Sequence, residues 1–154
     1  MTVETLTRTN VKQAVPFFNV TDIKASLRFY VDGIGFHMTN QWIDDRKLRW
    51  CWLQFDGAAL MLQEWTDVGR KLWWPEGAKL GIGVSVCFMC EDAISIYRDV
   101  ARRGLQAKRP FVGNRLWVTS LTEPDGYRID FESPTDVPEA TEYLDEPGEI
   151  GPLC

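Results

Sequence analysis

Strand-like and helix-like spacing of apolar residues alternate along this chain in a fixed order, and the order runs through twice. Over residues 14–20 β-branched and aromatic side chains predominate, with Pro16 near the start, which predicts a strand in an edge or strand-initial position. Thr21 or Asp22 then caps a helix whose apolar residues Ile23, Leu27, Tyr30 and Val31 fall at helical spacing, and Gly33 and Gly35 end it. Residues 36–43 and 47–55 read as a hairpin across Asp44-Asp45-Arg46, and Asp56-Gly57 makes a tight turn into 58–64. The second pass starts with a strand over 81–90. Ala93, Ile96, Tyr97, Val100 and Ala101 follow at i, i+3, i+4, i+7 and i+8 on a helix closed by Gly104, and strands over 108–112, 116–122 and 127–132 complete it.

The repetition is visible residue by residue. Glu123-Pro124-Asp125-Gly126-Tyr127-Arg128-Ile129-Asp130-Phe131 answers Asp56-Gly57-Ala58-Ala59-Leu60-Met61-Leu62 about seventy positions earlier, which marks an internal duplication. The expected fold is α+β: two tandem βαβββ modules forming a curved, mostly antiparallel sheet around a cleft, with one helix on the outer face of each half. One domain spans 12–134, with module one at 12–64, a linker at 65–80 and module two at 81–134. The linker mixes charges, Gly69, Pro75, Gly77 and three tryptophans without a clear period, so it reads as a connecting or pocket loop. Residues 135–154 turn to Asp, Glu, Pro and Gly, predicting an extended or poorly ordered acidic tail.

A length of 154 residues suits one compact domain, and 45% hydrophobic with 25% charged residues is a globular composition. No run approaches the roughly 18 apolar residues that cross a bilayer, and no secretory signal is visible, so a cytoplasmic location without membrane contact is expected. A net charge of −5 disfavours nucleic acid, which requires a basic surface, and leaves room for a cationic small molecule. Cys51, Cys87, Cys90 and Cys154 match neither a disulfide framework nor a paired zinc motif and read as buried thiols.

Asp22 opening a helix that contains Phe29-Tyr30, then Gly33-Ile34-Gly35-Phe36, with Glu123-Pro124-Asp125-Gly126-Tyr127 ahead of the last strand, resembles the vicinal oxygen chelate superfamily. That family joins glyoxalases, extradiol dioxygenases and bleomycin resistance proteins, and the resemblance implies their fold over residues 12–134. It also implies where a divalent metal would sit, on one first-strand and one last-strand residue of each half. Those positions here hold Val15, Ser85, Met61 and Asp130. One carboxylate, one hydroxyl, one thioether and one alkyl group are too few donors for a divalent ion, so neither metal nor other cofactor is expected.

What remains resembles the bleomycin resistance proteins, which bind rather than transform and work as dimers. Seven tryptophans exceed ordinary core needs, and flat ligands stack on such rings for about 0.5–1.5 kcal/mol per pair beyond area burial. The expectation is a metal-independent homodimer that sequesters a planar or cationic compound. Its candidate ligand-binding residues are Trp50, Trp52, Met61, Trp65, Trp73, Ser85, Trp117 and Asp130. Trp50 and Trp52 could equally fill a core layer, and Asp130 could pair with Arg128 or Arg49 instead of a ligand. No nucleophile–base pair is apparent, so no catalytic residue is assigned. The alternative is a metal-dependent lyase, isomerase or dioxygenase using other ligands, such as Glu64 or His37.

Overall fold

The computed structural model describes residues 9–74 and 76–144; the Trp73 side chain and the remainder of the expected tail, 145–154, lie outside the described set. Strand β1 (Phe17–Val20) leads to Asp22, whose carboxylate caps helix α1 (Ile23–Leu27) by accepting from the N–H groups of Lys24 and Ala25. Helix α1 then widens into a π-helical turn, Arg28–Ile34, closed by Gly35 at φ 111°. There the Tyr30 carbonyl accepts from both Gly35 N–H and Phe36 N–H, at 3.0 and 2.9 Å. Only a residue without a Cβ takes that left-handed backbone cheaply, which is why glycine ends the run.

Strands β2 (His37–Asp44), β3 (Lys47–Phe55) and β4 (Ala58–Glu64) form the meander, and β1 pairs parallel to β4 to give a four-stranded sheet in the order β1-β4-β3-β2. The second sheet repeats this as β5-β8-β7-β6, from β5 (Ser85–Met89), β6 (Phe111–Gly113), β7 (Leu116–Thr122) and β8 (Arg128–Pro134), again with first and last strands parallel. Helix α3 (Ala93–Arg102), capped by Asp92, crosses between β5 and β6. Two features differ from the sequence reading. The linker contains a helix, α2 (Asp67–Trp73), started by the Thr66 hydroxyl accepting from Gly69 N–H. Residues 81–83 are turn rather than strand and β5 begins only at Ser85, because Gly81 N–H donates to the Asp125 carbonyl at 2.9 Å, within the same module.

Strand residues alternate between two faces. Phe18, Val20, Cys51, Leu53, Leu60 and Leu62 bury one face of the first sheet, and Ile129, Phe131 and Leu121 one face of the second. These faces share one core, in which Phe36 lies against Phe55 and Phe88, and Phe55 against Phe131.

The Glu123-Pro124-Asp125-Gly126-Tyr127 motif clasps the two modules together. Asp125 accepts from Thr21 N–H at 2.9 Å and from the Thr21 hydroxyl at 2.6 Å. Glu123 accepts from the Ser26 hydroxyl and from Asp125 N–H. The Tyr127 ring stacks on Phe18 with centroids 4.1 Å apart, and its hydroxyl donates to the Asn19 carbonyl.

The first part of the expected tail is anchored. Ala140 N–H donates to the Val112 carbonyl, Val112 N–H to the Thr141 carbonyl and Tyr143 N–H to the Pro110 carbonyl, so 135–144 strap the free edge of β6. Tyr143 supplies the apolar anchor, against Tyr97 and Trp117. Covering an open strand edge in this way satisfies its backbone groups.

Candidate functional site

Cross-strand partners share a face, so the pairing registers fix what each sheet presents on the side away from the core. On the first sheet, Asn40, Trp52, Met61 and Phe17 form one row across β2, β3, β4 and β1, and Trp42, Trp50, Gln63 and Asn19 form the next. Three tryptophans thus lie side by side on one face. Trp50 and Trp52 are half-buried, while Trp42 is 55% exposed and Phe17 50%. The Trp52 indole N–H points to the Gln54 amide oxygen at 3.4 Å.

This face opens into a hollow of about 660 Å³ whose walls include Phe17, Trp42, Gln63, Arg49 and Trp65. Asn19 and Trp65 separate it from a second hollow of about 590 Å³, formed where the linker folds back with Arg70, Lys71, Trp74 and Leu80. The linker is held in place by polar contacts. Arg70 donates to the Thr21 carbonyl at 3.1 Å and the Trp74 indole N–H donates to the Ala78 carbonyl at 2.7 Å, while Glu64, at the end of β4 just before the linker, accepts from Ile23 N–H at 2.9 Å. Arg49 is different: its Nε is buried and has no hydrogen-bond partner among the described residues.

The matching face of the second sheet mixes polar residues with the apolar Met89, Val118 and Phe111 and carries no tryptophan. Cys87, Asp130 and Ser120 form one row across β5, β8 and β7, and Met89, Glu132 and Val118 the next. Asp130 is only 1% exposed, accepting from the Ser120 hydroxyl at 2.6 Å and from Arg128 Nε at 2.9 Å. Of the two readings open from the sequence, the structure shows the ion pair, and its partner is Arg128 rather than Arg49. Cys87, Asp130 and Glu132 place possible ligand atoms within 4.8 Å of one another, the one such group of three His, Cys, Asp or Glu residues among the described residues. Partial desolvation, followed by the hydrogen bond to and the charge of the Glu132 carboxylate, holds the otherwise exposed Cys87 thiol above its ordinary 9.0. The equivalent places on the first sheet hold Phe17, Met61 and Gln63, which follows from the pairs Phe17 with Met61 and Cys87 with Asp130.

The residues singled out in the sequence therefore separate. Trp50, Trp52 and Met61 come together on the tryptophan face, with Trp65 at the rim of its hollow. Ser85 and Asp130 lie on the matching face of the other sheet. Trp117 lies on the opposite side of β7, in line with Ser133, whose hydroxyl accepts from the helical Ala93 N–H, and its ring meets Tyr143 at 6.1 Å. Trp73 falls outside the described side chains. Cys51 is buried as expected, but Cys87 is exposed, because alternation turns it away from the core that Phe88 enters. Glu64 is engaged with Ile23, and His37 is exposed on β2, two strands from β4. Phe17, Trp42 and Arg49 were not assigned to a site from the sequence. Counting the hairpin register outward from Asp44-Lys47 sets Trp42 beside Arg49; only the bulge between Trp42 and Ile43 moves it beside Trp50, so the sequence carries no signal for this pair.

A family model for the Glyoxalase/Bleomycin resistance protein/Dioxygenase superfamily matches residues 11–131. No curated protein shows significant similarity to the chain. Among solved structures, a bleomycin-binding protein complexed with bleomycin is 20% identical with a TM-score of 0.60, over 80% of this chain and 98% of that one. A bleomycin resistance determinant encoded on the transposon Tn5 is 21% identical at 0.61, over 80% and 98%. An antibiotic binding protein from Streptomyces sp. CB03234 is 20% identical at 0.59, over 82% and 100%. At these identities the likeness establishes the fold.

Proposed function

Because this chain belongs to the Glyoxalase/Bleomycin resistance protein/Dioxygenase superfamily, we propose that it is a metal-independent binder that sequesters a planar small molecule on the tryptophan face of its first sheet. The observation that carries this reading is the alignment of Trp42, Trp50 and Trp52 beside a 660 Å³ hollow, a volume within the roughly 300–1,000 Å³ of ligand pockets. Each ring that stacks on a flat ligand adds about 0.5–1.5 kcal/mol beyond area burial. The cationic half of the sequence expectation drew on the net charge of −5 and on Asp130, and both Asp130 oxygens are already engaged. Planarity is the part that the geometry supports.

The same exposed face argues for a homodimer. Trp42, Ile43 and Phe17 are each at least half exposed, and an apolar patch of this kind calls for a cover. In our reading the second copy lays its second sheet over the aromatic one, closing two equivalent clefts. Among the described residues no helix is long and apolar enough to cross a membrane, and we place the protein in the cytoplasm as part of this proposal.

The donors needed for an ion held between modules are missing from the first sheet, where Phe17, Met61 and Gln63 stand, so the residues do not fit the family's metal. One observation favours the alternative, a metal-dependent lyase, isomerase or dioxygenase: Cys87, Asp130 and Glu132 cluster on the second sheet. Elemental analysis with thermal melting separates the two. The binder predicts no stoichiometric metal and a melting temperature unchanged by chelator. Bound zinc, nickel, manganese or iron, with a melting temperature that drops in chelator, would overturn it.

A further inference from the structure

We infer that the ligand of the tryptophan hollow is an aromatic carboxylate, and that Arg49 is the residue that selects it. This rests on the proposed binding function and adds the charge of the ligand, which that reading leaves open.

Arg49 precedes Trp50 on β3 and lines the same hollow as Trp42 and Trp65. Its guanidinium is permanently charged and carries only donors. The Nε is nevertheless buried with no acceptor among the described residues. Leaving a buried donor unpaired costs about 1–3 kcal/mol, and more for a charged group, an amount the Arg49 side chain recovers by turning its guanidinium toward an acceptor that enters the hollow it lines. Two carboxylates line the hollow and neither takes this role. Glu64 accepts from Ile23 N–H through one oxygen, Asp44 is exposed at the end of β2, and neither accepts from Arg49 Nε.

The chemistry of the missing partner follows from the shape of the donor. A guanidinium presents parallel N–H groups in a plane, which matches the two oxygens of a carboxylate. The walls include the Trp42 and Trp65 indoles and the Phe17 ring, which favour a flat apolar body attached to that carboxylate. Across Trp65 the adjoining hollow adds Arg70 and Lys71, against the single acid Glu76. The one strongly buried carboxylate on the outer faces, Asp130, is neutralised by Arg128 on the other sheet. Of the charged groups on these walls, Asp44 is exposed and Glu64 already accepts from Ile23 N–H, whereas among the described residues the Arg49 Nε has no partner, so an anion gains more here than a cation.

The test uses three probes with one ring system: 2-naphthoate, 2-naphthamide and N,N,N-trimethyl-2-naphthylammonium. Binding to the full chain is followed by tryptophan fluorescence and calorimetry, in the native protein and in Arg49→Met and Arg49→Lys. The expected result is that the native protein binds the carboxylate at least about tenfold more tightly than the ammonium, as suits a charge-assisted fork. Arg49→Met, which keeps the apolar stem, abolishes that preference while retaining the amide. Arg49→Lys keeps the sign of the preference with lower affinity, and it carries the test should the methionine variant melt early. Amide and ammonium binding as well as or better than naphthoate, or a preference that survives Arg49→Met, would overturn the assignment to Arg49 and leave the binding function standing. Failure of all three probes to bind the native protein would remove both.

Discussion

The Asp125 carboxylate accepts two hydrogen bonds from Thr21, 104 residues earlier in the chain, one from its backbone N–H at 2.9 Å and one from its hydroxyl at 2.6 Å. Asp125 sits in the last turn of module two, and Thr21 joins β1 to α1 in module one. The pair is therefore a fastening between the repeats. Hydrogen bonds to a charged acceptor contribute about 1.5–3 kcal/mol each, and Asp125 is 8% exposed. Asp125→Ala should lower the free energy of urea unfolding by about 2–4 kcal/mol, with Asp125→Asn losing less. An alanine variant within about 0.5 kcal/mol of the native protein, the usual range for surface changes, would show that the clasp is not holding the modules.

Glu123 makes the same seam sensitive to pH. Burial, with a smaller contribution from the nearby Asp125 charge, raises its carboxyl above the ordinary 4.5, although the bonds from Ser26 and Asp125 N–H pull the other way. An acid whose pKa is higher folded than unfolded stabilises the fold while protonated. That contribution is fully present below the unfolded pKa and is lost as pH rises through the folded one. Measured against Glu123→Gln, the native protein should lose relative stability from pH 4.5 upward until the folded group has ionised. A stability difference independent of pH across that window would contradict the assignment.

Gly81 is required by space. A Cβ there would lie 2.0 Å from Tyr127 N and 2.4 Å from the Gly126 carbonyl carbon, and backbone cannot yield as a side chain can. Gly81→Ala should cost about 3 kcal/mol or more, at or above the upper end of ordinary overpacking. Gly57, with nothing within 4 Å of its virtual Cβ, serves as the control, and Gly57→Ala should stay within about 0.5 kcal/mol. Thermal melts of the two variants decide it.

The two tryptophan environments should respond differently. Trp52→Ala removes a ring from the exposed face and should weaken binding of a planar probe by about fivefold or more, near the upper part of the stacking range. Trp117→Phe affects the strap through its contact with Tyr143 and should leave probe affinity within about twofold, since it faces the other side of β7. Calorimetric titration reads both.

Much of this architecture is visible in the spacing of residues, since Asp22 and Asp92 both cap helices and both halves give β-helix-β-β-β in the expected order. Helix α2 was hidden because Gly69 and the surrounding charges blur its period, and its start depends on one hydroxyl, that of Thr66. The site was only half visible. Met61, Trp50 and Trp52 group together because local alternation governs them. Trp117 sits apart for a reason that alternation alone could not supply, since the burial of its face depends on Tyr143 and the strap, 26 residues away. Arg49 carries no pattern at all; its interest lies in an unpartnered nitrogen that only three-dimensional packing reveals.

The central claim is that binding occurs on aromatic rings without a metal. Calorimetric titration of a planar probe into chelator-treated protein, repeated after adding zinc or manganese, tests it most directly. The account predicts one saturable isotherm, unchanged by the metal and weakened by Trp52→Ala. Binding that appears only after metal is restored, and that is lost on substituting Asp130 or Glu132 rather than Trp52, would contradict it.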